Sequence, residues 1–226
     1  MKTLPTKENT LVIIPILNEQ KTIKGVINKI KNSGYNNIVS IIDGSVDNSQ
    51  SIAESLNIRT LVHKKNKGTG AAIKTGIQYG IDNGYTYFLT IDGDDQHNPS
   101  DLHLLMEQLE VYDHTIGSRF LNPDNKVPWT RNKANQFANI ILLLKGIRTT
   151  DSQSGLTGFN LDVGNKMIDV KANRFEFWSA TIIKIRKNTH FQCSEIPISV
   201  RYTSYSLKKG QSLREGIWTI IKLLFL

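Results

Sequence analysis

Apolar segments of two kinds alternate along the first half of the chain, and this alternation restricts the fold more than any other feature. Residues 10–16 crowd β-branched side chains together, which is typical of a buried strand. Residues 21–32 instead repeat apolar side chains at the spacing of one helix face. The pattern predicts strands at 10–16, 38–42, 60–62 and 87–91, and helices at 21–32, 49–56 and 70–83. It therefore predicts an α/β fold with a mostly parallel sheet covered by helices on both faces.

The second half of the chain alternates less regularly. Ser100 is predicted to cap a helix that runs to Leu109, where Asp101 would favour the positive end of the helix without needing a catalytic role. Further on we expect polar loops at 122–128 and 149–158, helices at 132–144 and 176–187, and a strand at 195–202. No internal repeat or linker composition divides the chain, so we predict a single domain over residues 1–226.

The chain carries an excess of basic residues. Its 28 Lys and Arg against 20 Asp and Glu give a net charge of +8. A surface of this sign attracts anionic partners, so nucleic acid, phosphorylated ligands and anionic membranes are the classes to weigh. We expect no nucleic-acid partner, because no interleaving of aromatic and basic residues typical of a known module is present. The single cysteine, Cys193, excludes an internal disulfide and indicates a reducing compartment.

Two apolar stretches bear on membrane contact. No apolar run approaches the roughly 18 residues that a membrane-spanning helix needs. The stretch 11–17 lacks a small-residue cleavage pattern, so a secretory signal is not predicted. Residues 217–226 are strongly apolar and follow the basic residues Lys208, Lys209 and Arg214, which is typical of an interfacial segment. The alternative for this segment is an amphipathic helix that packs on its own domain.

Acidic side chains follow two of the predicted strands. Asp43 comes directly after the second strand, and Asp92 and Asp94 come directly after the fourth. Ligands of open α/β sheets bind beyond the carboxyl ends of strands, where these carboxylates are expected to lie. Asp92 and Asp94, with Gln96 adding a neutral oxygen, suit Mg²⁺ or Mn²⁺. An EF-hand is excluded because histidines occupy its glycine and glutamate positions, and an acidic turn without a ligand is the alternative.

A glycine-bearing loop at 66–75 leads into the helix predicted at 70–83. Backbone amides at the start of a helix bind anions well. The loop fits neither a P-loop nor a dinucleotide fingerprint, because the glycine and lysine spacings of those motifs are absent. The alternative to anion binding is a tight turn whose small residues, Ala71 and Ala72, let the helix pack closely.

Seven short motifs follow one another along most of the chain. They are VIIPILNE at 12–19, DGSVD at 43–47, NKGTGAA at 66–72, IDGDDQH at 91–97, GSRF at 117–120, SQSG at 152–155 and EIPI at 195–198. Together, over about residues 10–202, they resemble the motifs of family-2 glycosyltransferases, and most closely the polyprenyl-phosphate branch that includes dolichol-phosphate mannose synthases. The resemblance implies a Rossmann-like fold of the glycosyltransferase A type, a nucleotide-sugar donor, a divalent cation and inversion at the anomeric carbon.

The resemblance also implies roles for single residues. Mg²⁺ or Mn²⁺ is expected on Asp92, Asp94 and Gln96. Donor-binding positions are expected at Pro15, Leu17, Asn18, Glu19, Asp43, Lys67, Gly68, Asp92, Gly93 and Asp94. The acceptor phosphate is expected on Arg119, Arg131, Ser154 and Arg201, and the expected catalytic residues are Asp92, Asp94, Arg119 and Arg131. Residues 10–115 then form the nucleotide-sugar half, residues 116–202 the acceptor half, and residues 203–226 a basic and apolar tail.

Two observations favour a polyprenyl phosphate as the acceptor. The Gln-x-x-Arg-Trp motif of many polysaccharide-extending relatives is absent, and the planar fork of arginine suits phosphate oxygens. The alternatives are transfer to a sugar hydroxyl in glycan assembly, and a non-catalytic subunit that binds a sugar nucleotide. The second alternative arises because Ile42 precedes Asp43, where family members usually carry another aspartate. This departure also leaves the donor base open.

The resemblance sets expectations for location and partners as well. Many relatives continue into transmembrane helices, and no such segment follows here. We therefore expect a cytoplasmic protein that lies peripherally on the cytoplasmic face of a membrane, either directly or through a small membrane-protein partner. A homo-oligomer is also compatible with the sequence.

Overall fold

The computed structural model describes residues 3–188 and 190–208, and within these ranges seven strands form one sheet with helices on both faces. The strands are β1 (Thr10–Ile16), β2 (Ile38–Asp43), β3 (Arg59–His63), β4 (Tyr87–Thr90), β5 (His114–Ser118), β6 (Thr157–Asn160) and β7 (Cys193–Pro197). The helices are α1 (Ile23–Asn32), α2 (Ser49–Ser55), α3 (Thr69–Asp82), α4 (Leu102–Leu109), α5 (Trp129–Leu144), α6 (Leu161–Ile168), α7 (Glu176–Arg186) and α8 (Ser204–Lys208). The interfacial segment predicted at 217–226 lies outside the described residues.

The strand order of the sheet is β3-β2-β1-β4-β6-β5-β7. β1 pairs in parallel with β2 on one side and with β4 on the other, and the pairs β2–β3 and β5–β7 are parallel too. Among the described strands, only β6 runs antiparallel to its neighbours, which are β4 and β5. The predicted mostly parallel α/β sheet is therefore confirmed. None of the helices in the described ranges is long and apolar enough to cross a membrane.

β1 contributes to the cores on both faces of the sheet, because successive side chains of a strand point in opposite directions. Val12 and Ile14 pack with α1 and α4 on one face. Leu11 and Ile13 pack with α3, α6 and α7 on the other. All four side chains are at most 1% exposed, and burial of each contributes about 1.5–3 kcal/mol. A continuous apolar run of this kind is typical of a parallel strand that is covered on both faces.

The structure departs from the sequence predictions beyond residue 110. β5, β6 and α6 are not predicted, and α5 begins at Trp129 instead of residue 132. β6 contains a glycine and an asparagine, so it lacks the apolar pattern of a strand, yet it pairs with β4 and β5 on its two sides. Its Phe159 stacks on Phe88 of β4 with ring centroids 5.4 Å apart. Partners distant in sequence therefore decide the conformation of this segment.

The boundaries of α4 and β7 also differ from the predictions. The cap expected at Ser100 is wrong, because the side chain of Asn98 accepts the backbone N–H of Ser100 at 3.1 Å and a 3₁₀ turn precedes α4. β7 ends at Pro197 instead of residue 202. The chain after Pro197 turns to the loop that follows β4, where the carboxylate of Asp101 accepts the backbone N–H of Ser199 at 2.7 Å. Asp101 thus anchors a neighbouring segment of the chain.

Candidate active site

A pocket of about 710 Å³ opens beyond the carboxyl ends of β1, β2 and β4. From β1 the chain continues to β2 and β3 on one side of the sheet, and β4 lies on the other side. Ligands of open α/β sheets bind at such a reversal of strand order. The predicted site residues that line the pocket are Pro15, Leu17, Glu19, Asp43, Gly68, Asp92, Gly93, Asp94, Gln96, Arg119 and Arg131. Most of the predicted site residues therefore line this pocket, and the role of each stays a prediction.

The turn after β4 carries the two carboxylates predicted to hold a cation. Asp94 is half-buried, and its Oδ1 accepts the backbone N–H of Gln96 at 3.1 Å. Burial, and secondarily the negative charge of Asp92, raise the pKa of Asp94 above its ordinary value of 3.8. Two carboxylates that repel each other in this way are stabilised when a cation lies between them.

Gly155 makes the room that Asp92 occupies. A Cβ atom at this position would stand 2.3 Å from Oδ2 of Asp92 and 2.9 Å from Oδ1. Any side chain at residue 155 would therefore push the carboxylate away. Sequence reasoning missed Gly155 as a site residue, and the only signal for it is its place in the SQSG motif.

His97 lies on the turn next to Asp92. Its Nε2 is 3.7 Å from Oδ2 of Asp92, which is too long for a hydrogen bond. Its Nδ1 has no hydrogen-bond partner among the described residues. The backbone of His97 pairs with Val200 in an isolated bridge, which joins the turn to the segment after β7.

The donor atoms of the turn suit a hard divalent cation. No cluster of three or more His, Cys, Asp and Glu side chains that could hold a metal ion occurs within residues 3–188 and 190–208. Mg²⁺ commonly takes only one or two protein carboxylates, with water and substrate phosphates completing its shell. Asp92 and Asp94 meet this requirement. Gln96, the third predicted ligand, donates its side-chain amide to Asp94 and accepts a bond from Arg131 at its carbonyl oxygen.

The acidic turn is tied to the chain segment that follows β7. The backbone N–H of Arg201 donates to the carbonyl oxygen of Gln96 at 2.8 Å. The side chain of Arg201 forms an ion pair with Asp95, a residue in the left-handed region with φ of 61°. These bonds fix the backbone of the turn from outside, so its shape depends on residues far along the chain.

Asp43 organises the glycine-bearing loop. Its Oδ1 accepts the backbone N–H of Lys67 at 3.0 Å, and its Oδ2 accepts that of Gly68 at 2.7 Å. Gly68 has φ of 101°, and a Cβ atom there would stand 2.2 Å from the carbonyl oxygen of Asn173. Two backbone amides of this loop are therefore taken by Asp43, and the loop makes a tight turn that opens α3.

His63 holds Asp43 from the neighbouring strand. Its Nδ1 lies 2.7 Å from Oδ1 of Asp43, and its Nε2 lies 3.0 Å from Oγ1 of Thr75 on α3. His63 and Asp43 are 7% and 3% exposed, so neither bond competes with water. His63 is not among the site residues predicted from the sequence. The signal that could have found it is its register, because it lies opposite Asp43 on β3.

The loop after β1 is fixed by side chains from two directions. Asn18 has φ of 57°, and its Oδ1 accepts the backbone N–H of Val46 at 2.8 Å. The backbone N–H of Glu19 donates to Oγ of Ser49 at 2.7 Å. From the other side, the hydroxyl of Tyr205 donates to the carbonyl oxygen of Asn18 at 3.0 Å and to Oε2 of Glu19 at 3.1 Å. Tyr205 was not predicted, and it connects this loop to α8.

Arg131 and Arg119 both line the pocket, but their side chains have different kinds of hydrogen-bond partner. Arg131, in the first turn of α5, donates to the side chain of Gln96 and, at 3.0 Å, to the carbonyl oxygen of Ser206. Arg119 is held by Asp151, whose two carboxylate oxygens each accept a bond of 2.7 Å from its guanidinium. Burial alone would lower the pKa of Arg119, and the charge of Asp151 raises it above its ordinary value.

The remaining predicted residues lie outside the pocket lining. The hydroxyl of Ser154 donates to the carbonyl oxygen of Gly117 at 2.6 Å and is buried. The side chain of Arg201 is 65% exposed and pairs with Asp95. Asn18 and Lys67 lie beside the pocket, and both contribute backbone bonds that shape its loops. The structure therefore brings Arg119 and Arg131 together with the acidic turn, and leaves Ser154 and Arg201 at the periphery.

Comparison with known proteins finds relatives over nearly the whole chain. The family described as Glycosyl transferase family 2 matches residues 11–174. A UDP-N-acetylglucosamine–dolichyl-phosphate N-acetylglucosaminyltransferase of Methanococcus voltae is 32% identical, over 95% of this chain and 94% of that protein. A polyprenol monophosphomannose synthase of Mycolicibacterium smegmatis is 27% identical, over 96% and 88%. In fold, the chain is similar to glucosyl-3-phosphoglycerate synthase of Mycobacterium tuberculosis crystallised with Mn²⁺, UDP and phosphoglyceric acid, with a TM-score of 0.66, 16% identity and coverage of 95% and 78%.

Proposed function

The chain belongs to glycosyltransferase family 2, and from this we propose that it transfers one sugar from a nucleotide-sugar donor to a polyprenyl phosphate. It is an enzyme with the α/β fold of the glycosyltransferase A type, as the resemblance predicts. The relatives of M. voltae and M. smegmatis are named for lipid-phosphate acceptors, which supports the acceptor class. Their names specify different sugars, so the proposal concerns the acceptor class and leaves the sugar open.

One observation carries the proposal: the acidic turn and Arg131 line the same pocket, and the side chain of Gln96 links them. A diphosphate on the donor and a phosphate on the acceptor repel each other when they meet. A site that joins them needs positive charge on each side. Arg131 offers this on the acceptor side, and a cation bound at Asp92 and Asp94 would offer it on the donor side.

Asp92 and Asp94 would hold Mg²⁺ or Mn²⁺. When bound, such a cation neutralises the negative charge that develops on the departing diphosphate. The rest of the arrangement belongs to the protein itself. Asp43 and His63 hold the loop 66–68, and Tyr205 holds the loop after β1, so both loops are preorganised beside the donor. Preorganised loops lower the cost of binding a flexible nucleotide sugar.

The pocket carboxylates favour a phosphate acceptor over a sugar hydroxyl. A hydroxyl needs a carboxylate base within hydrogen-bond reach, whereas a phosphate monoester, whose second pKa is near 6, is largely ionised at neutral pH. Among the described residues, the carboxylates that line the pocket are Glu19, Asp43, Asp92 and Asp94. Glu19 accepts the hydroxyls of Thr22 and Tyr205, and Asp43 accepts three donors. The other two are the proposed cation ligands, so no base is assigned.

We propose a single displacement that inverts the anomeric carbon. One acceptor oxygen forms the new C–O bond while the bond to the diphosphate breaks on the opposite side. The common pocket of Arg131 and the acidic turn supports a direct meeting of the acceptor with the donor. The donor base stays open because Ile42, which replaces an aspartate of the family, is 1% exposed and offers no oxygen to the pocket.

We further propose a peripheral position on the cytoplasmic face of a membrane, because the polyprenyl chain of the acceptor stays in the bilayer while its phosphate reacts. A small membrane-protein partner and a homo-oligomer stay predictions.

The test is a screen of radiolabelled UDP- and GDP-sugars with short polyprenyl phosphates, in which lipid-extractable label is counted. We expect label with at least one donor, and its loss on addition of a chelator. Asp94→Ala should abolish the signal while the fold persists, since a loop carboxylate contributes little to core packing. Arg131→Ala should change the dependence on acceptor concentration more than that on donor concentration.

The screen also distinguishes the alternatives. Label that appears only in water-soluble glycans would favour a hydroxyl acceptor. Nucleotide-sugar binding without any transfer would favour a non-catalytic subunit. Undiminished transfer by Asp94→Ala would overturn the assignment of the cation site.

A further inference from the structure

One face of α5 presents large apolar side chains to solvent. The exposed fractions are 71% for Trp129, 54% for Phe137, 53% for Ile140, 54% for Leu143 and 81% for Leu144. Most of these residues are separated by three or four positions or by multiples of that spacing, so they form one stripe along the helix. We call this set of five residues the α5 stripe. An apolar stripe of this size is normally covered in the functional state of a soluble protein.

The opposite face of α5 is the one that packs on the domain. Ala138, Ile141 and Leu142 are buried in a small cluster that includes Ile182 and Ile183 of α7. The side chain of Asn135 is buried too, and it donates to the carbonyl oxygen of Thr150 at 2.9 Å. The helix is therefore anchored by its smaller side chains and amides. The α5 stripe is exposed because the opposite face of the helix packs on the domain, and the helix itself is firmly attached.

The charge around α5 has a single sign. Residues 125–150 contain no Asp or Glu. The same segment contains five basic residues, namely Lys126, Arg131, Lys133, Lys145 and Arg148. Large apolar residues combined with basic residues are typical of helices that lie in the interfacial layer of a bilayer with anionic lipids.

The α5 stripe is continuous with the mouth of the active-site pocket. Trp129, Lys133 and Phe137 line the pocket as well as the outer surface of the helix. Arg131 lies on the same turns and points to Gln96. A partner bound to the α5 stripe would therefore also contact the mouth of the pocket, close to Arg131.

We infer that the α5 stripe docks on the surface of an anionic bilayer and brings the pocket mouth to the level of the lipid headgroups. This inference rests on the proposed function, in which the acceptor is a lipid phosphate. A second copy of the chain is a poorer occupant, because a symmetric contact would bring two basic, acid-free faces together. Residues 209–226 of the same chain contain three Lys and Arg and one Glu, so they also lack charge complementarity to this face.

A single fluorescent label tests the inference, because the chain has only one cysteine. In a Cys193→Ser background, Ile140→Cys is labelled with an environment-sensitive fluorophore, and Val111→Cys is the matched control. Val111 is 63% exposed and lies outside α5. The vesicles contain phosphatidylglycerol and phosphatidylcholine and no polyprenyl phosphate. We expect a blue shift and quenching by brominated lipid at position 140, neither at position 111, and a smaller effect in high salt.

Each other outcome overturns the inference in a recognisable way. A blue shift at position 140 that needs no vesicles and does not depend on protein concentration would mean that the chain covers its own stripe. A shift that grows with protein concentration in the absence of vesicles would mean that a second copy covers it. An unchanged spectrum under all conditions would mean that nothing tested here binds the stripe.

Substitution of the stripe separates membrane docking from catalysis. The double variant Ile140→Gln with Leu144→Gln changes two residues that do not line the pocket. Loss of two apolar side chains from an interfacial helix should weaken vesicle binding by at least about tenfold. Val111→Gln should leave vesicle binding unchanged. Transfer to a short, water-soluble polyprenyl phosphate should be equal in both variants, so failure of the proposed function would appear in that assay and failure of docking only in the vesicle assay.

Discussion

The contact between Gly155 and Asp92 allows a test of the cation site by adding a single methyl group. In Gly155→Ala, the new Cβ atom would stand 2.3 Å from Oδ2 of Asp92, whereas real Cβ atoms essentially never come closer than 3.0 Å. The carboxylate must therefore withdraw by at least 3.0 − 2.3 = 0.7 Å. Because metal–ligand distances tolerate changes of only about 0.2 Å, we expect Asp92 to be lost as a good ligand.

The expected effect is large on the cation and small on stability. Perturbation of the groups around a metal site commonly costs about 10–100-fold in affinity, and we expect a loss in this range for Mn²⁺. The side chain of Asp92 is 36% exposed, so its carboxylate can move at a cost of less than about 1 kcal/mol in the free energy of unfolding. Binding of Mn²⁺ is followed by electron paramagnetic resonance in the presence of UDP or GDP, and stability by urea unfolding.

Gly25→Ala is the matched control for this substitution. Gly25 lies on α1, and a Cβ atom there has nothing within 4 Å. The control should keep the Mn²⁺ affinity and the transfer rate of the wild type, and it should stabilise the helix slightly. If Gly155→Ala bound Mn²⁺ as tightly as Gly25→Ala and transferred sugar at the same rate, Asp92 would not be a cation ligand.

Other side chains give predictions of different kinds. The buried ring nitrogens of His114 have no hydrogen-bond partner within residues 3–188 and 190–208, and burial, followed by the charge of Arg186, lowers the pKa of His114 from 6.5 to about 3. Below pH 6.5 the unfolded chain takes up a proton at this histidine that the folded chain does not. The free energy of unfolding should therefore fall by up to about 1.4 kcal/mol for each unit by which the pH is lowered. Urea unfolding at pH 7 and pH 5 should show a smaller loss for His114→Phe than for the wild type. Asp151→Asn leaves the buried charge of Arg119 without its partner and should cost about 3–5 kcal/mol in urea unfolding; Asp169→Asn, which breaks a surface pair of 3.6 Å, should cost less than about 1 kcal/mol. His63→Ala removes a hydrogen-bond donor from the buried carboxylate of Asp43. Calorimetry should then show weaker binding of the nucleoside diphosphate, and the free energy of unfolding should fall by about 1–3 kcal/mol. The control Val62→Ala should change neither quantity.

The first half of the fold could be predicted from the sequence because its signals are local. A parallel strand that is covered on both faces is a nearly continuous apolar run, and β1 contains such a run from Leu11 to Ile14. α1 repeats its buried residues at helical spacing. By contrast, β6 becomes a strand through its pairing with β4 and β5, and no local pattern in Thr157–Asn160 announces it.

The candidate site divides in the same way. Asp92, Asp94 and Arg119 could be placed at the pocket because their motifs fix both residue type and place on the fold. Gly155 and His63 could not, because their importance lies in which atoms they approach. Gly155 leaves room for the carboxylate of Asp92, which is distant in sequence. His63 lies opposite Asp43 on the neighbouring strand. Local motifs therefore point to the residues proposed for the chemistry, and they give no sign of the residues that hold these in place.

The bonds between the acidic turn and the segment after β7 have a consequence for synthesis of the protein. Asp95 and Arg201 are 106 positions apart. A nascent chain emerges from its N-terminus, so β1 to α4 can collapse around their own apolar side chains while Arg201 has not yet been translated. During that interval the turn lacks the partners that fix its backbone. The turn that we propose as the cation site is therefore completed late in translation, once the residues near position 200 have left the ribosome.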